Sequence, residues 1–417
     1  MNIWDKLGVK PADILLPANC DTEKWSCIAC DQFTSDKEYW DEMDRFVGDA
    51  PSTLRITFPE IYLGHDDESY IAGINSRMRQ YLSGNVFREY KNAVIKCERT
   101  LRSGKVRTGL VMAVDLEQYD YSQGSRSLIR ATEGTILHRL PPRIAIRRNA
   151  PLELPHIMIL IDDADNTVIG SIKNTGSPVY DTKLAMNGGS IKGWLLSSEQ
   201  QDMLARSLEH LCDRKAFIRR YSLEPDSALL MYAMGDGNHS LACAKACWEQ
   251  LKPSLSDEEL ITHPARYALA EIVNLYDPSL EFEPIHRIIF DTDAEKLAQY
   301  LDCRDGDAQE ITMLTQSGEK TIHVRKTCEL AVGSLQNALD MFLEQNGGRI
   351  DYVHEDSTVR RLAAQPGNAG FILPEFRKEQ LFPFVSKNGA LPRKTFSMGE
   401  GCDKRYYFEA RRISVDK

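Results

Sequence analysis

The sequence lacks any run of apolar residues that reaches the roughly 18 needed for a membrane-spanning helix, and Met1 to Lys10 lack the apolar segment of a signal peptide. It also lacks a basic excess, because 51 Lys and Arg stand against 61 Asp and Glu, a formal net charge of -10. Binding nucleic acid over a broad surface needs clustered Lys and Arg to neutralise phosphates. These absences predict a cytoplasmic protein with neither a membrane nor a nucleic-acid partner.

A disulfide framework and a paired zinc motif are missing as well. The cysteines are scattered along the chain, and only Cys27 and Cys30 form a CxxC pair. A structural zinc ion needs a second ligand pair at similar spacing, which neither Cys243 with Cys247 nor any close pair of histidines provides. We therefore expect reduced thiols, with Cys27 and Cys30 as two small buried side chains rather than zinc ligands.

What the sequence does contain is enough apolar material for a packed core. Of its 417 residues, 42% are hydrophobic and 27% are charged, which is typical of a globular protein of two or three domains. Helical patterns alternate with strand-like runs, and they predict an α+β fold of mixed sheets with flanking helices. The turn at Lys252-Pro253-Ser254 favours an N-terminal and core domain over residues 1–253 and a smaller α/β domain over residues 254–417.

The spacing of the apolar residues predicts several elements. Residues 156–161 are expected to form a strand that returns through residues 167–172. Residues 198–220 have the period of one long helix. A buried strand is predicted over residues 228–234, and a helix over residues 240–251.

The segment between this strand and this helix has the composition of a phosphate-binding loop. Glycines let the backbone approach a ligand, and a helix that begins after them directs free N–H groups and its positive dipole end at an anion. Asp236 is suited to hold a metal ion or to activate a hydroxyl, and His239 to donate to a phosphate oxygen. The alternative is an ordinary turn in which Asp236 and Asn238 cap the helix, but the adjoining Asn-His pair favours function. The 235–240 loop consists of Gly235, Asp236, Gly237, Asn238, His239 and Ser240.

An arginine-rich segment with a single acid, Glu133, is the second candidate. The planar guanidinium group suits phosphates and carboxylates. Two of the arginines share a face if a helix runs there, although Pro141 and Pro142 shift its start. A solvated basic face is an equal alternative for the last two, and the residues alone favour a salt bridge over a general base for Glu133. The arginines are Arg126, Arg130, Arg139, Arg143, Arg147 and Arg148.

Two further features are weaker. His286 and Arg287 place polar side chains at the start of a strand, although a hydrogen-bonded core histidine is the commoner explanation. Lys394, in the sequence Pro392-Arg393-Lys394-Thr395, is suited to reach a phosphate, but surface lysines far outnumber ligands.

Five motifs occur in order along the chain: Ala29-Cys30-Asp31-Gln32-Phe33-Thr34-Ser35, Arg130-Ala131-Thr132-Glu133-Gly134-Thr135, Gly235-Asp236-Gly237-Asn238-His239, Pro284-Ile285-His286-Arg287 and Leu391-Pro392-Arg393-Lys394-Thr395. Together they resemble the bacterial and archaeal domain-of-unknown-function family 1015. That family resembles in turn the ParB and sulfiredoxin-like superfamily, whose members bind a nucleotide phosphate with a strand, a glycine-containing His-Arg loop and a helix. Some relatives phosphorylate free serine, and others hydrolyse a nucleotide or act on a sulfinate.

The resemblance implies a nucleotide-binding core and phosphoryl chemistry. By this likeness Gly235, Gly237, Asn238, His239 and Ser240 would cradle phosphate. Asp236 would coordinate magnesium or orient the acceptor, and Glu133 would occupy the catalytic acid position. The sequence departs from the pattern at Ser240, where an arginine is common, and at Thr132, where a histidine is common. Charge neutralisation would then fall to Arg130, Arg139 or Arg143.

These observations predict a magnesium-dependent phosphotransferase that moves phosphate from ATP or ADP to a small hydroxylated metabolite, with free serine as the leading acceptor. Its catalytic residues would be Asp236, Glu133 and His239, and His286, Arg287 and Lys394 would be additional ligands. The alternative is a nucleotide-binding regulatory protein that transfers no phosphate. The expected partners are a nucleotide and a small substrate, and the oligomeric state stays open, with a homodimer as one option.

Overall fold

The computed structural model describes residues 3–64, 67–135, 140–303, 306–399 and 401–415. It divides into two compact units, one formed by Met1–Leu280 with Glu400–Lys417 and the other by Glu281–Gly399. Both units combine helices with mixed or antiparallel sheets, so the predicted α+β class with mixed sheets is confirmed. Within the described residues, no helix combines the length and the apolar character needed to cross a membrane.

The elements are numbered in chain order. The strands are β1 (Val9–Lys10), β2 (Ala12–Pro17), β3 (Cys27–Ile28), β4 (Phe87–Ala93), β5 (Ile95–Thr100), β6 (Val106–Asp115), β7 (Tyr119–Asp120), β8 (Ile129–Arg130), β9 (Leu152–Glu153), β10 (Met158–Ile161), β11 (Tyr180–Lys183), β12 (Ser190–Leu195), β13 (Tyr232–Asp236), β14 (Tyr267–Asn274), β15 (Phe282–Pro284), β16 (His286–Phe290), β17 (Ala308–Thr315), β18 (Gly318–Arg325), β19 (Arg349–Val353), β20 (Ala369–Ile372), β21 (Phe396–Met398), β22 (Tyr406–Tyr407) and β23 (Arg411–Arg412). The α-helices are α1 (Thr22–Trp25), α2 (Lys37–Val47), α3 (Asp67–Ser83), α4 (Leu140–Arg148), α5 (Ser198–Leu211), α6 (Arg214–Tyr221), α7 (Asn238–Leu251), α8 (Asp257–Thr262), α9 (Ala294–Leu301), α10 (Ala331–Asn346), α11 (Asp356–Ala363) and α12 (Leu381–Asn388).

A large mixed sheet forms the centre of the first unit, in the order β11-β12-β5-β6-β14-β10-β13-β8-β7, with β1 paired to β6. Side chains alternate between the two faces of a strand. Leu110 and Met112 of β6 therefore join a core with α5 and α7, whereas Val111 and Ala113 join a second core with α2 and α3. Because both faces are covered, the central strands are almost continuously apolar.

The carboxyl end of β13 is where strand directions bring several polar segments together. β8 runs parallel to β13, so both strands end at the same edge of the sheet. β10 runs antiparallel to β13 and begins at that edge. The register shifts between Met158, opposite Asp236, and Ile159, opposite Met234, which leaves Gly235 as an extra residue in a bulge. Bulges often redirect a strand next to a functional site, and α7 begins directly after this one.

The second unit has an antiparallel sheet in the order β18-β17-β20-β16-β19. Adjacent residues of β16 face opposite sides: Ile289 packs with α9 and α10, and Ile288 packs with α11. A small pair, β15 with β21, holds stacked rings of Phe282 and Phe396. The unit thus has its own core.

The structure divides the chain differently from the sequence-based boundary near residue 253. β14 follows that boundary, yet it is hydrogen-bonded between β6 and β10 at the centre of the large sheet. The first compact unit therefore extends to Leu280 and also includes Glu400–Lys417 at the end of the chain. Lys252–Ser254 is only a short 3-10 turn after α7.

Two local predictions also differ from the structure. The long helix expected over residues 198–220 is two helices, because Asp213 caps a new start by accepting the N–H groups of Lys215 and Ala216. The strand expected over residues 167–172 is a loop, because Asp163 accepts the Val168 N–H at 2.7 Å and the Thr167 hydroxyl at 3.0 Å. The strand before the 235–240 loop and the helix after it are both present, as β13 and α7.

Candidate functional site

The 235–240 loop turns at Gly237, where any other residue would have a strained backbone. Gly237 has a φ of +79°, in the left-handed region that favours glycine. A Cβ there would lie 3.1 Å from Ile157 Cα and 3.3 Å from Ile157 Cγ1. α7 therefore begins close against the segment that precedes β10. The first N–H groups of the helix lack intrahelical partners, and the positive end of its dipole lies at this turn.

The side chains of the loop do not cap α7. Asp236 Oδ1 accepts the N–H of Gly237 at 2.9 Å, but Gly237 precedes the first residue of the helix. The other carboxylate oxygen, Asp236 Oδ2, is 3.4 Å from Lys404 Nζ. At the N-cap position of α7, Gly237 has no side chain and provides no capping hydrogen bond. The interpretation of the loop as an ordinary capped turn therefore lacks its expected hydrogen bonds.

Asn238 holds a polar atom without a partner. Its Oδ1 is buried and has no hydrogen bond to any described residue. A buried acceptor left unpaired costs about 1–3 kcal/mol, so such an atom requires an explanation, for example a bound ion or ligand. Magnesium in nucleotide sites uses one or two protein oxygens together with phosphates and waters. Asp236 and Asn238 are a donor set that fits this demand, while no group of three or more His, Cys, Asp or Glu residues in the described ranges is arranged to hold a metal.

A buried histidine that the sequence did not single out contacts the loop. His156, just before β10, has its Nε2 at 3.1 Å from Ser240 Oγ and its Nδ1 at 2.9 Å from Tyr407 Oη. Its Nε2 is also 3.6 Å from Asp31 Oδ2. Four segments far apart in the chain thus meet around one imidazole.

The charges of His156 and Asp31 support each other. Burial disfavours the charged imidazole, but the Asp31 carboxylate outweighs burial and raises the pKa of His156. Burial likewise disfavours the charged Asp31, but His156 holds the pKa of this carboxyl well below its usual range, with help from Gln32 and Lys404. Each of the two charges therefore stabilises the other.

The returning end of the chain, the 401–412 segment, supports this arrangement with buried charges. Arg405 donates through Nε to Glu271 at 2.8 Å, through Nη2 to Glu409 at 2.8 Å, and through Nη1 to the Pro155 carbonyl at 2.7 Å. Burial opposes ionisation of Glu271, but Arg107 and Arg405 lower its pKa to about 2. The residue preceding His156 is therefore anchored by an ion-pair network. The same segment supplies Lys404 and Tyr407.

Glu133 lies at the same edge of the sheet as Asp236. The preceding residue, Thr132, is buried, and its hydroxyl donates to the Met234 carbonyl at 2.8 Å. Glu133 and His239 are both partly buried. Strand β8 and helix α7 thus bring the three predicted catalytic residues to one end of β13, although they are separated in sequence.

The arginine-rich segment is not a single phosphate-facing patch in its described part. Arg130 is buried and donates to the carbonyls of Ser127, Ala228 and Leu229, so it ties loops together. Arg139 lies outside the described residues. The remaining arginines contact other side chains: Arg126 with Asp226, Arg143 with Glu60, Arg147 with Glu153 and Arg148 with Gln250.

Three predicted ligands belong to the second unit, where the side chains of His286 and Arg287 make contacts that stabilise the fold. His286 Nδ1 accepts the N–H of Leu373 at 3.1 Å. Arg287 is fully buried; it donates to Gln336 at 3.2 Å and to the carbonyls of Ile285, Arg393 and Lys394. Lys394 itself is exposed.

Asp31, His156, Lys404 and Tyr407 escaped assignment from the sequence. Asp31 lay inside the quoted Ala29 to Ser35 motif without a role. His156 is a polar residue placed directly before an apolar strand, and Lys404 begins a Lys-Arg pair before two tyrosines. Cys30 belongs to the same cluster, where the Tyr407 hydroxyl donates to its Sγ at 3.1 Å, and neither Cys27 nor Cys30 forms a disulfide.

A search of curated proteins found no significant match. Solved structures give distant resemblances. A variant of a free serine kinase in complex with ADP shares 10% identity, covers 76% of this chain and 95% of its own, and has a TM-score of 0.38. A conserved hypothetical protein from Pyrococcus furiosus shares 10% identity over 69% of this chain and 90% of its own, with a TM-score of 0.35. C-terminally truncated SbnI from Staphylococcus aureus shares 10% identity over 69% and 82%, also with a TM-score of 0.35.

The family membership predicted from the five motifs is confirmed. A family model described as a protein of unknown function, DUF1015, matches residues 11–342, which is most of the sequence. The chain belongs to the DUF1015 family.

Proposed function

We propose that the 235–240 loop binds the phosphates of ATP or ADP and that the first unit transfers a phosphoryl group to a small hydroxylated metabolite. The observation that carries this proposal is the uncapped start of α7 at Gly237, with Asp236, Lys404 and the unpaired Asn238 Oδ1 beside it. Free N–H groups, a cation and a carboxylate at one helix N-terminus favour an anionic ligand that carries a hydroxyl or a metal.

Phosphoryl transfer depends mainly on positioning and charge stabilisation. Lys404 would contact the phosphates, and His239 would donate to a phosphoryl oxygen. Asp236 would orient the acceptor or, with Asn238, hold magnesium, which neutralises phosphate charge when bound. Glu133, at the same sheet edge, would accept the proton of the acceptor hydroxyl. Free serine is the first acceptor to test, because relatives that the motifs resemble phosphorylate it.

A nucleotide-binding regulatory role is the second candidate, and specific contacts favour it. Ser240 carries no charge and is hydrogen-bonded to His156, and Arg130 is hydrogen-bonded to main-chain carbonyls, so neither provides an additional positive charge to a phosphate. A site with fewer cations can still bind a nucleotide while it stabilises the transition state less.

Nucleotide turnover distinguishes the two candidates. The purified full chain is incubated with ATP or ADP, with and without magnesium, against a panel of amino acids and sugars. We expect magnesium-dependent phosphorylation of a hydroxylated acceptor and at least about 100-fold less activity in Asp236→Asn. Asp165→Asn, which changes an exposed carboxylate in a turn, is the matched control. Tight nucleotide binding without any product would favour the regulatory role, and the absence of both would refute the nucleotide site.

A further inference from the structure

The Tyr407 hydroxyl contacts both Cys30 and the Nδ1 side of His156. The Tyr407 hydroxyl donates to Cys30 Sγ at 3.1 Å and accepts the Cys30 N–H at 3.2 Å. Burial, together with the neighbouring Cys30 and Asp31, raises the pKa of Tyr407 well above its usual value, so the hydroxyl keeps its single proton. The same hydroxyl is 2.9 Å from His156 Nδ1, and when its proton points to Cys30 the imidazole donates to it through Nδ1–H.

In the tautomer with the proton on Nδ1, Ser240 is the hydrogen-bond donor to His156. In a neutral imidazole only one nitrogen carries a proton. With Nδ1 protonated, Nε2 presents a lone pair, and the Ser240 hydroxyl lies 3.1 Å away. A serine hydroxyl that donates to an imidazole nitrogen is the geometry of a nucleophile and its base.

The surroundings of His156 stabilise the cation that would form when the serine proton moves. The Asp31 carboxylate is 3.6 Å from Nε2. Asp236 also favours the positive charge, while burial and Arg405 oppose it, and the balance raises the pKa of His156. Tyr407 contacts the Nδ1 side of the ring and Asp31 balances the charge, two functions that a single aspartate performs in other serine–histidine sites.

Ser240 also occupies a favourable position in the fold. It is the third residue of α7, a helix of 14 residues. Negative charge on Ser240 Oγ, or on the oxygens of a group attached to it, would therefore lie at the positive end of a long helix dipole and beside its free N–H groups. Ser240, its base His156 and the N-terminus of α7, which would stabilise an anion, are therefore next to one another.

We propose that Ser240 is a nucleophile, with His156 as its general base, toward tetrahedral phosphorus compounds that carry a good leaving group. Ser240 Oγ forms a bond to phosphorus, the bond between phosphorus and the leaving group breaks, and the leaving group departs with the electron pair. The serine proton moves to His156 Nε2, and Asp31 stabilises the imidazolium. The product is a phosphorylated or phosphonylated Ser240. This reactivity goes beyond the proposed nucleotide chemistry, because it requires no nucleotide.

An alkyl fluorophosphonate probe tests this reactivity on the full chain. Attack by Ser240 breaks the P–F bond and releases fluoride, and peptide mass spectrometry locates the adduct. We expect labelling of Ser240, no labelling at that position in Ser240→Ala, and at least about 100-fold slower labelling in His156→Gln. Ser197→Ala, which changes the serine that caps α5, and His210→Gln, an exposed histidine on the same helix, should label at the wild-type rate.

A second variant keeps the test decisive if His156→Gln does not fold, as judged by its circular dichroism and melting temperature. Asp31→Asn removes only the charge of a partly exposed residue, and we expect about tenfold slower labelling with the fold intact. An unlabelled Ser240 in the wild type, or equal rates in the wild type and in folded His156→Gln or Asp31→Asn, would overturn the proposal. Nucleotide turnover is not measured in this assay, so its outcome is independent.

Discussion

Each compact unit contains a buried histidine, and the two have opposite surroundings. His156 in the first unit is 5% exposed and contacts the side chains of Ser240, Tyr407 and Asp31. His286 in the second unit is 4% exposed and accepts a main-chain N–H. Burial lowers the pKa of His286, whereas Asp31 overcomes burial and raises the pKa of His156. Burial alone therefore does not identify a functional histidine; the chemical type of its partners does.

The buried arginines show the same contrast. Arg405 pairs with the carboxylates of Glu271 and Glu409 next to the candidate site. Arg287 donates mainly to main-chain carbonyls, and burial lowers its pKa to about 10. In the first unit, the buried Arg405 forms ion pairs with carboxylates near the 235–240 loop. In the second unit, the buried Arg287 instead forms hydrogen bonds that connect segments of the main chain. The following predictions test this difference.

The largest effect is expected from breaking the charge network of the first unit. Glu271→Gln leaves Arg107 and Arg405 without their shared carboxylate, and losing one partner of a buried ion pair costs about 3–5 kcal/mol in the free energy of unfolding. Urea denaturation measures the loss. Glu344→Gln, an exposed position on α10, is the matched control and should change stability by less than about 0.5 kcal/mol. A similarly small change in Glu271→Gln would show that the network carries no net stability.

A smaller effect is expected from the second unit. Arg287→Met removes donors from buried carbonyls rather than from an opposite charge, and unpaired buried acceptors cost about 1–3 kcal/mol. Urea denaturation of this variant, run beside Glu271→Gln, compares the two networks directly. A loss in Arg287→Met that exceeds the loss in Glu271→Gln would reverse the comparison.

The smallest effect is a difference in titration between the two histidines. NMR of the imidazole protons should place the midpoint of His156 above 6.5 and that of His286 below 6.5. His156 then contributes stability that is present below pH 6.5 and lost as pH rises through its folded pKa, and the contribution of His286 is lost as pH falls from 6.5 through its folded pKa. Asp31→Asn should lower the midpoint of His156 and leave His286 unchanged. Two midpoints on the same side of 6.5 would contradict the assignment.

Sequence patterns predicted the parts of the site that are contiguous in the chain. β13, the 235–240 loop and α7 follow from an apolar run, two glycines and a helical period, all of which are local signals. Asp213 shows where such signals fail: the apolar period continues across it, but its side chain caps a new helix. Likewise, side-chain hydrogen bonds from Asp163 replaced an expected strand with a loop.

The residues that complete the site could not be predicted in this way. Asp31, His156, Ser240 and Tyr407 are brought together by the order of strands in the central sheet and by the return of the chain end to the first unit. No local pattern encodes these pairings. The same limit explains the domain division, since the position of β14 between β6 and β10 is a long-range pairing.

The most direct test of the central claim is calorimetric titration of the full chain with ADP and magnesium, in the wild type and in Lys404→Met. Lys404 is the cation beside Asp236, and a charge-assisted contact to phosphate is worth about 1.5–3 kcal/mol, so we predict binding that weakens at least about tenfold in the variant. Lys296→Met, an exposed lysine of the second unit, should bind like the wild type. The absence of binding in the wild type, or equal affinity in Lys404→Met, would contradict a nucleotide phosphate site at the 235–240 loop.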